Sequence, residues 1–118
     1  YEAIDLIWAV ISASPDRQLL TYEIVSYSLR TYGTPEIGLA RHQQESNEEI
    51  IRSVLGRTAQ SAGMRWGMGL DDMVRVVEAT VAGIGLRWQI CRDDDEAIAL
   101  LHRAVDLVVA DAHPLDGE

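Results

Sequence analysis

Three histidines and several carboxylates are the residues of this sequence that could bind a metal ion or catalyse a reaction. His42 shares a helix face with Glu45 and Glu49, because residues three, four or seven positions apart lie on one side of a helix. Such a row is more typical of a solvated surface than of a zinc site, and His102 and His113 are distant in sequence. The sequence has no nucleophile motif, phosphate-binding loop or H-E-x-x-H pair. We therefore expect no metal site, no cofactor and no enzymatic activity.

The single cysteine, Cys91, stands next to the acidic run "RDDDE" at residues 92–96. It could act as a redox thiol, but neighbouring carboxylates disfavour a reactive thiolate, so we interpret it as an unreactive residue at a helix end. The acids are explained by the positive end of a helix dipole, where carboxylates are favourable. A lone cysteine forms no internal disulfide, which is typical of a reducing compartment and predicts a cytoplasmic protein.

Aromatic and methionine side chains are the best candidates to line a pocket for a small apolar molecule, and a few hydroxyls could supply polar contacts. For each residue taken alone, ordinary core packing is the competing explanation. The segment "AGMRWGMG" at 62–69 places a tryptophan and two methionines in a glycine-rich stretch, which suggests a lid or a dimer contact. The candidate ligand-binding residues are Trp8, Ser12, Tyr22, Ser26, Tyr27, Met64, Trp66, Met68, Met73, Thr80 and Trp88.

Helix signals dominate the elements that would position these residues, and no run alternates like a strand. Apolar spacing and capping residues predict helices over 2–13, 15–32, 35–62, 70–91 and 95–112, with a possible break near Gly38. Ser14 and Thr34 each precede a proline, as an N-cap precedes a first helical residue, and Gly33 would end the second helix. Residues 61–70 are predicted to be a loop, and "HPLDGE" at 113–118 a frayed tail. The fold class is all-α, a bundle of about five to six helices in one domain over 1–118.

Two glycines interrupt the penultimate helix at "EATVAGIGLRW", residues 78–88, where each costs about 1 kcal/mol relative to alanine. Small residues let two helix backbones approach closely, so we expect another helix to pack there. The last helix is apolar nearly all round, so the final two helices have a spare apolar face. We predict a four-helix dimer interface between two copies, although both faces could be buried within one chain. Its candidate residues are Ala79, Ala82, Gly83, Leu86, Ile98, Leu101, Val105 and Val108.

The bulk composition is that of an ordinary globular domain that would repel nucleic acid. The 118 residues are 47% hydrophobic and 25% charged, with a formal net charge of −9. A domain that binds DNA by itself needs a basic face. No apolar run reaches the roughly 18 residues of a membrane span. The chain starts directly in helical rhythm, so we expect an N-terminal part of a longer protein to be missing.

The stretch "VEATVAGIGLRWQICRDDDEAIALLHRAVDLV" resembles the end of the C-terminal domain of TetR-family transcriptional regulators, and "SPDRQLLTYEIVSYSLRTYGTPEIG" is similar to that family's middle. The resemblance implies an all-helical homodimer whose last two helices pair between subunits. It further implies a pocket whose ligand releases operator DNA from a separate N-terminal helix-turn-helix domain, which these residues lack. Without lysines or paired arginines to hold an anion, we expect an apolar or aromatic ligand.

Two other functions stay open at this point. One is a helical homodimeric protein-interaction module without a small-molecule ligand, and the other is a small helical enzyme or carrier. An interior cavity of several hundred Å³ would favour the ligand-sensing repressor, whereas a solid core would favour the interaction module.

Overall fold

The computed structural model describes residues 1–32 and 39–115, and five helices dominate those residues. They are α1 (Glu2–Ser12), α2 (Pro15–Tyr32), α3 (Leu39–Ala62), α4 (Leu70–Cys91) and α5 (Asp94–Val109). The all-α prediction is therefore confirmed, and the helix boundaries that lie within the described residues are within three residues of the expected ones. The predicted cap at Thr34, the helix start at Pro35, the stop at Gly33 and the break near Gly38 lie outside the described residues.

The connection between α4 and α5 takes only two residues, and each has a local cause. Arg92 ends α4 in the left-handed conformation, with φ 53°, where glycine is the usual residue. Asp93 then caps α5, because its carboxylate accepts the backbone N–H of Glu96 at 3.0 Å. The interpretation of the acidic run as a helix N-terminus is thus confirmed for Asp93, which is the N-cap of α5.

A small antiparallel sheet joins two segments for which the sequence predicted a loop and a frayed tail. β1 (Met64–Trp66) pairs with β2 (Ala112–Pro114), and Arg65 lies opposite His113. Both predictions were wrong at these residues. Three-residue strands are too short to display an alternating pattern, and the pairing joins segments almost fifty positions apart, so local sequence carried no signal for it.

Two separate hydrophobic clusters form the core, and α4 contributes to both. The Trp88 cluster lies between α1, the end of α4 and the start of α5 and consists of Trp8, Trp88, Ala97 and Leu101. The Trp66 cluster lies between α3, β1 and the start of α4 and consists of Leu55, Trp66, Met73 and Val74. Since α5 contacts the end of α4 through Leu101 and the other cluster through Val108, α4 and α5 run antiparallel.

The body is flat and leaves much surface uncovered. Its Cα extents are 50 × 35 × 16 Å, and its radius of gyration is 15.7 Å, against about 13.5 Å for a compact domain of this length. Its accessible surface is 7977 Å², about 1,600 Å² more than the roughly 6,400 Å² of a monomer of 13.1 kDa. Within the described residues, none of the helices combines the length and apolarity that a membrane crossing requires.

Candidate functional site

An apolar stripe runs along the outside of α4. Val76, Ala79, Gly83, Leu86 and Ile90 follow one another at steps of three and four residues and therefore share one side of the helix. The side chains of Val76, Leu86 and Ile90 are 46%, 50% and 77% exposed. A Cβ added at Gly83 would meet no atom within 4 Å, so the middle of this stripe is open. We call these five residues the α4 stripe.

Two leucines of α5 extend the stripe sideways. Arg87 pairs with Glu96 at 2.5 Å across the antiparallel helices, which shows that these two residues lie side by side. Equal steps backward along α4 and forward along α5 then place Leu100 level with Gly83, and Leu107 level with Val76. Leu100 is 37% exposed and Leu107 is 69% exposed. The α4 stripe with Leu100 and Leu107 forms a two-helix apolar surface, which we call the α4–α5 face.

The predicted interface residues divide between this face and the interior of the chain. Ala79, Ala82, Gly83 and Leu86 are exposed on α4. The four residues predicted on α5 lie on its inner side, toward the core of the chain. Leu101 is only 1% exposed, and Ile98 and Val108 pack against the two clusters. Val105 is half-buried. The prediction named the more regularly spaced apolar residues of α5, and in the structure Ile98, Leu101 and Val108 among them pack in or against the two clusters. The prediction does not name Val76, Ile90, Leu100 and Leu107, which are exposed on these two helices. The steps of three and four from 76 to 90 could have identified the first two as sharing the outer side of α4.

The two glycines of α4 have different structural reasons. Gly85 is buried, and a Cβ there would lie 3.4 Å from the hydroxyl of Tyr22 on α2. The amide of Gln89, one turn further on, donates to the carbonyl of Pro15 at 3.1 Å and to the side chain of Gln18 at 3.2 Å. The absence of a side chain at Gly85 is therefore explained within one chain, by the approach of α2. Gly83 faces outward, where the described residues provide no such neighbour.

The predicted ligand-binding aromatics occupy two packed clusters rather than one pocket. The rings of Trp8 and Trp88 meet edge to face with centroids 5.2 Å apart. Trp66 lies in the other cluster, and its indole N–H donates to the carbonyl of Leu55 at 3.3 Å. Met64 and Met73 belong to that second cluster as well. Core packing therefore accounts for these residues in the structure.

The remaining candidates do not converge on either cluster. Tyr27 and Met68 are 59% and 44% exposed, and Ser26 is exposed. The hydroxyl of Ser12 donates to the carbonyl of Trp8 at 2.8 Å, and that of Thr80 donates to the carbonyl of Val76 at 2.7 Å. Tyr22 is half-buried, and this burial raises the pKa of its phenol. Of the predicted hydroxyl contacts, two are thus engaged by their own helices.

The glycine-rich segment is a pinned strand and turn rather than a lid. The backbone N–H of Gly67 donates to the carbonyl of Asp111 at 2.8 Å, and that of Met68 donates to the Asp111 carboxylate at 2.9 Å. A Cβ at Gly67 would lie 2.6 Å from that carboxylate and 2.8 Å from the ring of His113, so only glycine fits without displacement. Trp66 is 5% exposed beneath it. The lid interpretation is corrected accordingly.

A shallow cleft of about 110 Å³ opens between α2 and α3. Its walls come from Thr21, Ile24 and Val25 on one helix and from His42 and Gln43 on the other. None of the predicted ligand-binding residues lines it. Its volume is below the several hundred Å³ that enclose a typical small-molecule ligand.

Polar side chains join α1 to α5 at the edge of the Trp88 cluster. His102 lies 2.7 Å from the carboxylate of Asp5, and the ring of Tyr1 stacks on it with centroids 4.2 Å apart. The phenol of Tyr1 donates to Asp106, and this hydrogen bond raises its pKa. Across the described residues, no three histidine, cysteine or carboxylate side chains are grouped as a metal would require.

A scan against protein-family models gives no match, and searches of curated proteins and of solved structures give none either.

Proposed function

We propose that this chain is the dimerisation and ligand-sensing domain of a TetR-like transcriptional repressor, and that it works as a homodimer. The observation that carries the proposal is the α4–α5 face, an exposed apolar surface on two antiparallel helices. Two copies of such a face related by a twofold axis would form a four-helix interface. The resemblance of residues 10–110 to the regulator family supports the same arrangement.

The distribution of side-chain sizes on the face supports close helix pairing. Ala79 and Gly83 lie at the centre of the α4 stripe, and the larger Val76, Leu86 and Ile90 lie toward its ends. In a pair of α4 helices crossing near Gly83, the small residues allow backbone contact while the large ones interdigitate. The accessible surface of the chain exceeds that of a compact monomer by about 1,600 Å². This excess is large enough to include the roughly 800 Å² that each subunit buries in a standard interface.

The ligand-sensing part of the proposal rests on the resemblance to the regulator family, because the packed clusters and the small cleft favour the interaction module. In such a sensor α4 would link the ligand to the dimer, since it contacts α2 at Gly85 and Gln89 and carries the α4 stripe on another side. A ligand that prefers one position of α2 relative to α4 would shift the dimer geometry and thereby the spacing of two attached DNA-binding domains. We propose an apolar or aromatic ligand, a cytoplasmic location, and contact with operator DNA only through a domain outside this chain.

The second candidate is a homodimeric interaction module without a ligand. Two observations favour it. Both tryptophan clusters are packed, and the cleft between α2 and α3 is small. Titration with N-phenyl-1-naphthylamine, a neutral aromatic probe, separates the two candidates. Saturable binding of one molecule per chain, with energy transfer from tryptophan, supports the sensor. Lack of saturable binding supports the interaction module.

Dimerisation is tested directly by Gly83→Leu. Sedimentation equilibrium of the parent chain should give twice the chain mass at micromolar concentration. The leucine would separate the paired backbones, so we expect the dimer dissociation constant to rise at least about tenfold, a loss of some 1.4 kcal/mol or more. Gly56→Leu is the matched control on α3, where an added Cβ also meets no atom within 4 Å. A monomeric parent, or a Gly83→Leu variant as dimeric as the parent, would contradict the proposal.

A further inference from the structure

The outer side of α5 carries two charged residues among its leucines. Glu96, Leu100, Arg103 and Leu107 follow one another at steps of four, three and four residues, so they share one side of the helix. We call these four residues the α5 stripe. It adjoins the α4 stripe, because Glu96 contacts Arg87 across the two helices. One carboxylate and one guanidinium therefore lie beside the apolar residues of the α4–α5 face.

Arg103 has no charged partner within residues 1–32 and 39–115. It is exposed, and its guanidinium forms an ion pair with none of the carboxylates in those ranges. Asp106, one turn further along α5, accepts the phenol of Tyr1 instead. Equal steps along the antiparallel helices place Arg103 level with Thr80, whose hydroxyl donates to its own helix. The chain thus presents an unpaired cation on the face proposed to bind a second copy.

Glu96 keeps capacity for a second cation. Arg87 contacts only its Oε1 atom, and the side chain of Glu96 is still 35% exposed. A carboxylate has two oxygens and about four sites for hydrogen-bond donors, so one guanidinium does not saturate it. Glu96 can therefore accept a second arginine from outside the chain.

The two stripes are arranged for pairing with themselves about one point. Val76 and Ile90 each lie seven residues from Gly83. A twofold axis that crosses α4 at Gly83 therefore places Val76 opposite Ile90 of the partner subunit. Because Leu100 is level with Gly83, the same axis inverts α5 about Leu100. Arg103 then lies within one residue, or about 1.5 Å along the axis, of Glu96 of the partner subunit.

We propose that Arg103 of each subunit pairs with Glu96 of the partner subunit, and that these two equivalent ion pairs determine the orientation of the dimer. This inference rests on the homodimer proposed above. Each Glu96 carboxylate joins Arg87 of its own chain and Arg103 of the partner subunit. If α4 packed on α5 of the partner instead, Arg103 would meet Thr80 of the partner subunit and remain unpaired. Covering an unpaired charge is unfavourable, so the charges select the arrangement with α4 on α4.

The test mixes two charge-reversed variants of the full chain, Arg103→Glu and Glu96→Arg, in equal amounts. In each homodimer both contacts between subunits join like charges, whereas in the mixed dimer both join opposite charges. Contacts within a chain, including the Arg87–Glu96 pair that Glu96→Arg loses, are the same in both kinds of dimer and cancel. Native mass spectrometry should show an equilibrium constant for mixed-dimer formation at least about tenfold above random pairing. This preference should shrink between about 0.05 and 0.5 M salt because exposed charges are screened.

A milder pair of variants tests the same contact without reversing a charge. Arg103→Gln should weaken the dimer by about threefold or more, since it removes two partly exposed ion pairs. Arg57→Gln is the matched control, because Arg57 is an exposed arginine on α3 that likewise makes no ion pair in the described part of the chain. It should leave the dimer unchanged, and circular dichroism should show equal helix content in all variants.

The outcomes separate the ion pair from the dimer itself. A dimeric parent whose charge-reversed variants pair at random, or stay monomeric when mixed, would overturn the ion pair and leave the dimer standing. Equal weakening by Arg103→Gln and Arg57→Gln would have the same meaning. A monomeric parent would overturn both proposals. Variants that are monomeric alone and dimeric when mixed would support the Arg103–Glu96 contact most directly.

Discussion

The indole of Trp88 depends on a single carboxylate for its hydrogen bond, and removing that carboxylate gives a sharp test of the packing described above. Trp88 is 6% exposed, and its Nε1–H donates to Asp94 at 2.7 Å. Asp94→Ala leaves this donor without its acceptor in a largely buried setting. We expect a loss of about 1–3 kcal/mol in the free energy of unfolding. For 118 residues, about 4 °C per kcal/mol follows from typical unfolding entropies, so the midpoint should fall by roughly 4–12 °C.

Two matched variants separate the hydrogen bond from the charge. Asp95→Ala removes a carboxylate from the same first turn of α5, where Asp95 is exposed and contributes mainly to the helix dipole. It should cost at most about 1 kcal/mol. Asp94→Asn loses the charge but keeps an oxygen acceptor, so it should recover most of the stability that Asp94→Ala loses. Urea unfolding followed by tryptophan fluorescence and by circular dichroism measures all three variants.

The reasoning fails if Asp94→Ala and Asp95→Ala are equally stable. That result would mean that water replaces the carboxylate at the indole and that Trp88 is not sealed in its cluster. The same result would reopen the Trp8–Trp88 pair as part of a ligand pocket, because a hydrated indole edge implies space beside it.

Three further substitutions test the turn, the middle of α3 and the α3–α4 contact. Gly67→Ala should destabilise the chain by about 1–2 kcal/mol because its Cβ displaces the Asp111 carboxylate, which accepts the backbone N–H of Met68. Gly56→Ala, with open space in mid-helix, should stabilise the chain by about 0.5–1 kcal/mol. Thermal unfolding of both variants gives the sign, and a neutral Gly67→Ala would show that the turn adjusts freely. Burial raises the pKa of Glu78 above its usual value, and the nearby charge of Glu48 raises it further. The ionised form of Glu78 is therefore less favourable in the folded chain than in the unfolded chain. Glu78→Gln should therefore stabilise the chain at pH 7 by less than about 1 kcal/mol, and the advantage should vanish as the pH falls through the titration of Glu78; an advantage that is equal at pH 4 and pH 7 would assign it to packing instead.

The helical part of the fold was predictable because its signals are local. Pro15 marks the start of α2, the carboxylates at 71 and 72 mark the start of α4, and Asp93 marks the start of α5. Each is read from a few adjacent residues. The β1–β2 pair and the Asp111 contacts join distant segments, and no local pattern announces them.

The sequence alone predicts less well which side of each helix faces outward, and the reason is different. Helical spacing identifies which residues share a face, but it does not say which face turns inward. On α4 the small residues around Gly83 were correctly expected on an outer face. On α5 the stripe that includes Leu101 was assigned outward, although its regular spacing suits the core equally well. The aromatic residues were grouped by type, and the chain distributes them between two clusters.

The placement of α4 between two clusters limits how this sequence can change. Its first turns hold Met73 and Val74, its last turns hold Trp88, one side admits Tyr22 at Gly85, and another side carries the α4 stripe. Almost every side of these 22 residues is committed to a neighbour or to an exposed apolar surface. Natural variants should therefore accumulate in the first half of α3, where polar residues at 41–49 pair mainly with one another, and should be rare along α4.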